Sequence, residues 1–414
     1  MAKNNKDKNN VDKKSLKKDS EVDNETTKKE SKADLEKRLS IDPPSAKIDE
    51  DKKKDEKKKP VFLPKGKWDR AKYIQSKSKH VEYKADSFIH MSPAFQELTK
   101  FPGFPQGHVH MVYGNSDVGK TTMLLELAKY AQQKSVLPVF IITEKKWSWK
   151  RAKLMGINTD PNELIFNDDF SFIEEACDYI VQTLKDQATG ELQSDIIILW
   201  DSVGATPSRA EWEAYEEHEK LIAKAIENGQ DIKEIKKSSV AMMVTAKVLR
   251  EQIERKIQHL ITATRKVESP FFATLFIVNH GYTSPNPMGP ASLVPYGGGG
   301  IKLACTFVFR QGKVSGSATR KTNTVKGVDF TWGLQVPLEF EKNHLNGISA
   351  QGDVIVTPHG YITATKESEA EYIKEHKNGW ENSFDGYFGD KDKDKDDDDD
   401  LPYDPETGEI LPPK

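Results

Sequence analysis

Apolar and polar positions alternate along HVHMVY (His108–Tyr113), and this period of two predicts a strand. The spacing turns helical at MLLELAKYA (Met123–Ala131). Continuous apolar runs follow at LPVFII, at DIIILW and at FFATLFIV, ending at Ile142, Trp200 and Val278. Runs of this kind suit parallel strands buried on both faces. Strands alternating with helical stretches predict an α/β fold, with a mostly parallel twisted sheet flanked by helices. Between Thr206 and Val267 the Glu- and Lys-rich pattern predicts one or two amphipathic helices, with an inserted helical hairpin near residues 212–238. Faces this rich in charge are usually just solvated, so no chemistry is assigned there. FTWGLQVPLEF and GDVIVTPHGYITATKESEAEYIKEH predict late strands and a small helical piece. One stretch breaks the pattern. HGYTSPNPMGPASLVPYGGGG (His280–Gly300) holds four prolines and ends in four glycines, between two apolar runs. A structureless loop this long inside a compact domain is usually functional or disordered.

Charge divides the 414 residues unevenly. Residues 1–60 carry 19 basic against 15 acidic side chains, and residues 390–414 carry 4 against 11. The whole has 62 basic and 65 acidic residues, which leaves 39 of each for the stretch between. Both ends lack the apolar surface needed to offset ordering entropy, so both are expected to be disordered. The Lys-rich residues 51–59 read as a solvated tail, with a localisation or nucleic-acid patch as the alternative. Cys177 and Cys305 sit in apolar surroundings and read as buried, reduced thiols. Without an apolar leader or a membrane-length run, the expected setting is soluble and cytoplasmic.

The strongest chemical signal follows the first predicted strand. Gly114, Asn115, Ser116, Asp117, Val118, Gly119, Lys120 and Thr121 match G-x-x-x-x-G-K-[ST], with Thr122 next in the helix. Glycines let backbone N–H groups curl round phosphates, and the helix directs its positive end at them. Lys120 would neutralise the β- and γ-phosphates of ATP, and the Thr121 hydroxyl would help hold Mg²⁺. Asp201 ends an apolar run, where open α/β sheets bind ligands, and is the second candidate for Mg²⁺. Glu144 ends another run and is a candidate base for the attacking water; a surface glutamate is the alternative.

In order, these segments resemble the RecA-type recombinases, and most closely their phage UvsX-like branch. The likeness runs from VEYKADSFIHMSPAFQELTKFPGFPQGHVHMVYG through ITEKKWSWKRAKLMGINTDPNELIF and DIIILWDSVGATPSRAE to FIVNHGY, about residues 82–345. It implies a RecA-like P-loop ATPase core, with Glu144 activating water. It also implies that Asn279 and His280 sense the γ-phosphate. Arg151 falls where the family usually stacks an aromatic on adenine. RKTNTVKGVDF resembles the stretch that reaches a neighbouring subunit's ATP, with Lys321 and Lys326 as its matching lysines.

The same likeness makes the Pro/Gly stretch a DNA-binding loop following the sensor. Tyr282 and Tyr296 are candidates for base stacking. Gly297, Gly298, Gly299 and Gly300 would offer free N–H groups to a DNA phosphate, with Lys302 just inside the helix. Arg209 is a candidate for a phosphate contact. A flexible surface loop with no ligand is the alternative. The expected organisation is a charged tail over residues 1–66 and an oligomerisation segment over residues 67–107. The ATPase core follows over residues 108–345, then a small C-terminal piece over residues 346–385 and an acidic tail over residues 386–414. The expected function is an ATP-dependent recombinase that forms helical homo-oligomeric filaments on single-stranded DNA and pairs it with homologous duplex DNA. The acidic tail would recruit single-strand-binding or mediator proteins, or would serve solubility alone. Two rivals share the core: a ring-forming DNA helicase, and a paralogue that binds ATP and recruits partners without strand exchange.

Overall fold

A computed structural model describes residues 70–78, 81–228, 240–284, 291–313, 318–325 and 327–388. The predicted charged tails before residue 70 and after residue 388 lie outside the described residues, as do Lys326 and part of the expected insertion. The chain divides into two units between Ser78 and Lys79. The described part of the first is a helix, Arg70–Lys77, that buries none of its side chains. The second unit holds everything that follows.

Its sheet contains β3 (Val109–Gly114), β4 (Leu137–Ile142), β5 (Ile165–Asn167), β6 (Ile196–Asp201), β7 (Ala273–Ser284) and β9 (Phe307–Gln311) as a parallel set, ordered β9-β3-β7-β6-β4-β5. Beyond β9 the sheet turns antiparallel through β11 (Val328–Asn343), β12 (Ala350–Thr357) and β13 (Gly360–Thr363). Strand β10 (Thr319–Val325) pairs with the outer part of β11. A separate two-stranded ribbon, β1 (Phe88–His90) with β2 (Gly103–Pro105), precedes the core.

The apolar runs are continuous because both faces of the parallel strands are covered. In β6, Ile197 and Leu199 join the cluster under the Lys120–Gln133 helix, while Ile196, Ile198 and Trp200 join the opposite cluster under the Ile173–Thr189 helix. Strand β3 does the same, with Val112 on one side and Val109, Met111 and Tyr113 on the other. This period of two is what a pleated strand imposes on a doubly covered sheet. The first cluster is rich in aromatic rings: Phe309 stacks on Phe340 at 4.6 Å with 9° between planes, and Phe104 meets Phe276 edge-on. A third cluster, built on Trp332, Ile355 and Tyr372, seats the C-terminal helix Lys366–Phe388 on the antiparallel strands.

Two regions differ from the sequence expectation. The described part of the Pro/Gly stretch includes a ribbon, in which β7 continues to Ser284 and β8 (Ser292–Pro295) pairs antiparallel with it; residues 285–290 lie outside the described residues. Its prolines conceal the pairing: Pro295 sits at the strand's last position, where a missing N–H is tolerated. The charged region is a helix at Arg209–Glu227 and a second at Val240–Leu249, which continues through a π-helical stretch, Arg250–Ile257, to Ala263. That second helix is not merely a solvated face: Leu249, Ile253, Ile257 and Ile261 are fully buried in the sheet's second cluster.

Candidate nucleotide site

The parallel strands deliver their C-terminal ends to one edge, so residues far apart in sequence meet there. Gly114 lies opposite both His280 and Gln311, and Ile142 lies opposite Asp201. Gly114 has to be glycine, since a Cβ there would stand 1.8 Å from the Gln311 carbonyl oxygen. The loop then turns through Asp117 and Gly119 at φ of 59° and 94°, and the helix starts at Lys120. Gly119 is doubly constrained, because a Cβ would also press on Val356 at 2.5 Å.

Lys120 donates from Nζ to the Asn115 carbonyl at 2.5 Å, across the mouth of its own loop. Burial holds its pKa below the usual lysine range, and Asp201, Glu144 and Asp117 partly offset this. Thr121 Oγ1 donates to Asp201 Oδ2 at 2.7 Å. Burial raises the Asp201 carboxyl to about 6, against the pull of the Thr121 hydrogen bond. Glu144 follows β4, its backbone N–H near the Asp201 carbonyl at 3.4 Å and its carboxylate paired with Lys146 at 3.2 Å. His280 places Nε2 3.0 Å from Ser202 Oγ, and burial, with the Lys120 charge nearby, lowers its pKa. Asn279 fixes the start of the ribbon by donating to the Tyr296 carbonyl at 2.9 Å.

Lys120, Thr121, Glu144, Asp201 and His280 line one cleft of about 920 Å³, together with Ser116, Thr122 and Arg151. The far wall comes from the antiparallel strands through Arg320, Trp332 and Leu334. The Arg151 guanidinium donates to the Thr122 hydroxyl at 2.7 Å. The sequence reading missed Ser202, Arg320, Trp147 and Trp332, which line the cleft or touch its sensor. Ser202 carried a faint signal in the Asp-Ser pair ending β6; the others come from elements whose approach no local pattern encodes.

Among the described residues, no three His, Cys, Asp or Glu side chains gather to hold a metal ion by themselves. The donor set suits Mg²⁺ shared with phosphate oxygens, because that ion takes few protein ligands and keeps water and phosphate. Asp201 Oδ1 is buried without a hydrogen-bond partner, next to the Thr121 hydroxyl. A hard cation would satisfy that orphaned oxygen.

The other candidate residues are more occupied than expected. Lys302 pairs with Glu341 at 2.7 Å and lies 4.7 Å from the centre of the Tyr113 ring, rather than facing outward toward a DNA phosphate. Arg209 pairs with Glu175 at 2.7 Å and covers Phe172. Tyr296 donates its hydroxyl to Glu211 at 2.8 Å and is half-buried, whereas Tyr282 on the same ribbon is exposed. Gly297 and Gly300 lie against Leu249 and Arg250, where the α-helix passes into its π-helical stretch, while Gly298 and Gly299 face open space. Lys321 is held by Glu369 of the C-terminal helix at 2.6 Å.

A glycine-rich turn leaving a buried parallel strand, with Lys-Thr opening the next helix and an aspartate ending a nearby strand, defines the class: a P-loop α/β protein. Residues 72–268 match the RecA N-terminal domain. Protein RecA of Sulfurovum sp. (strain NBC37-1) is 35% identical over 111 residues, covering 27% of this chain and 29% of the relative. Protein RecA of a Nitratiruptor species is 36% identical over 111 residues, and that of Wolbachia sp. subsp. Brugia malayi (strain TRS) is 30% identical over 148. These alignments span 29%, 30% and 39% of the three relatives, well under two thirds of each. Over residues 72–268 the chain is similar to the RecA N-terminal domain, and the curated relatives it resembles there are RecA proteins. Among the described residues, no helix is long and apolar enough to cross a membrane.

Proposed function

We propose that this protein is an ATP-dependent DNA recombinase that assembles as a filament on single-stranded DNA and pairs it with homologous duplex. The observation that carries this is the path from the cleft to the ribbon. Thr121 meets Asp201, the next residue Ser202 meets His280, and His280 opens the β7–β8 ribbon. A change at the γ-phosphate position is thereby felt at the base of a partly exposed hairpin.

Lys120 and the loop amides would bind the phosphates, and Thr121 and Asp201 would hold Mg²⁺. The ion would supply neutralisation of the charge that develops on the phosphates. Glu144 orients water and accepts its proton. Catalysis then rests on positioning and on preset charge rather than on covalent chemistry. Tyr282 is the exposed aromatic of the ribbon and the candidate for contact with a base. The Asn279–His280 pair is the residue-level basis for reading the chain as UvsX-like, acting in the cytoplasm of a phage host. Filament partners, and a partner for the acidic tail, belong to the same proposal.

The test is an ATP-dependent pairing assay between single-stranded DNA and a homologous duplex. Joint molecules that need both ATP and homology are expected. Unwinding without pairing would support a helicase, and neither activity would support a partner-recruiting paralogue.

A further inference from the structure

Two buried side chains hold the phosphate loop from behind. Gln311, at the end of β9 and fully buried, donates its amide to the Val118 carbonyl at 2.6 Å. Tyr361, in β13 and 4% exposed, donates its hydroxyl to the Gly119 carbonyl at 3.0 Å. Gln311 Oε1, also 3.0 Å from that hydroxyl, is a second acceptor for its one hydrogen, so the two side chains meet at the loop. In a planar trans peptide the carbonyl of one residue and the N–H of the next point in opposite directions. Fixing the carbonyls of Val118 and Gly119 toward the core therefore aims the N–H groups of Gly119 and Lys120 the other way. Both residues line the nucleotide cleft.

The pair is itself anchored by the helix it serves. Glu126, buried in the Lys120–Gln133 helix, accepts the Tyr361 backbone N–H at 2.8 Å and the Ser92 backbone N–H at 3.0 Å. The register of β13 is thus tied to the helix, and the Tyr361 hydroxyl returns to the loop at that helix's start. The approach is close: a Cβ at Gly360 would stand 2.9 Å from Glu126 Oε2.

We propose that Gln311 and Tyr361 are positioning residues that preset the phosphate loop, orienting the amides of Gly119 and Lys120 toward a nucleotide's phosphates. The proposal rests on the reading of this cleft as a nucleotide site. A loop whose amides are already aimed avoids the ordering cost of aiming them on binding. The role is specific to phosphate and should not touch recognition of the base or sugar.

Tyr361→Phe removes only the hydroxyl, and Gln311→Met removes the amide while keeping the side chain's length. ADP and adenosine are titrated against each full-length variant, and unfolding midpoints are measured without ligand. The expected result is ADP binding weakened about tenfold in each variant, with adenosine binding unchanged. Should Gln311→Met fold poorly, Tyr361→Phe decides alone. Equal losses for ADP and adenosine, or ADP affinity equal to that of the unaltered protein, would overturn the proposal. Lys120→Ala separates the two levels. If it abolishes ADP binding while Tyr361→Phe leaves it intact, only the positioning role fails. If the unaltered protein binds no ADP, the nucleotide reading fails with it.

Discussion

Thr121 and Asp201 are eighty residues apart in sequence, yet the hydroxyl of one donates to the carboxylate of the other at 2.7 Å. Helix start and strand end are brought together by a parallel sheet in which β3 and β6 flank β7. The pair leaves Asp201 Oδ1 buried and unpartnered, facing chemistry that no side chain completes.

The charge on Asp201 has a stability consequence. An unfolded aspartate ionises near 3.8, and burial moves this one to about 6. The fold thus favours the neutral form. Its contribution is fully present below 3.8 and is lost as pH rises through about 6, a loss of at most about 3 kcal/mol. Asp201→Asn keeps the shape without the charge. Its unfolding midpoint without nucleotide should exceed that of the unaltered protein at neutral pH and converge with it below about pH 4. A difference independent of pH would contradict this.

Glu144→Gln should preserve ATP binding and ATP-stabilised assembly while slowing hydrolysis about a hundredfold or more. Phosphate release and nucleotide titration on one preparation check this. Turnover at the normal rate would remove Glu144 from the mechanism.

His280→Ala should leave ADP affinity near that of the unaltered protein but reduce stimulation of hydrolysis by single-stranded DNA about tenfold. The variant loses the contact with Ser202 that links the cleft to the ribbon. Stimulation that survives intact would show that coupling runs elsewhere.

Phe309→Ala should cost about 3–5 kcal/mol of stability by leaving a cavity among rings that now pack face and edge. Denaturant unfolding measures it. A cost below about 1 kcal/mol would mean that Phe340 and Phe104 collapse into the space.

Much of this architecture was legible because its requirements are local. A strand buried on both faces needs an unbroken apolar run, which Ile196–Trp200 displays. The phosphate loop shows itself in its glycine spacing, and at Gly119 the positive φ is a local reason for glycine. What escaped depends on distant partners. Lys302 beside a glycine run suggests an anion site, but Glu341, 39 residues away, claims its ammonium. Gly297 reads as a donor for phosphate, yet it is where Leu249 of another helix passes close. Gln311 and Tyr361 look like ordinary strand residues until β9 and β13 are brought beside the loop. The proline-rich ribbon was hidden because strand propensity is low in just those residues that end or flank its pairing.

The central claim is that nucleotide chemistry in this cleft is coupled to DNA. The direct measurement is the rate of ATP hydrolysis by the full chain with and without single-stranded DNA, with Lys120→Ala as the zero. Slow hydrolysis is expected, accelerated by DNA at least about tenfold and abolished by Lys120→Ala in both conditions. Hydrolysis indifferent to DNA, or persisting in Lys120→Ala, would contradict it.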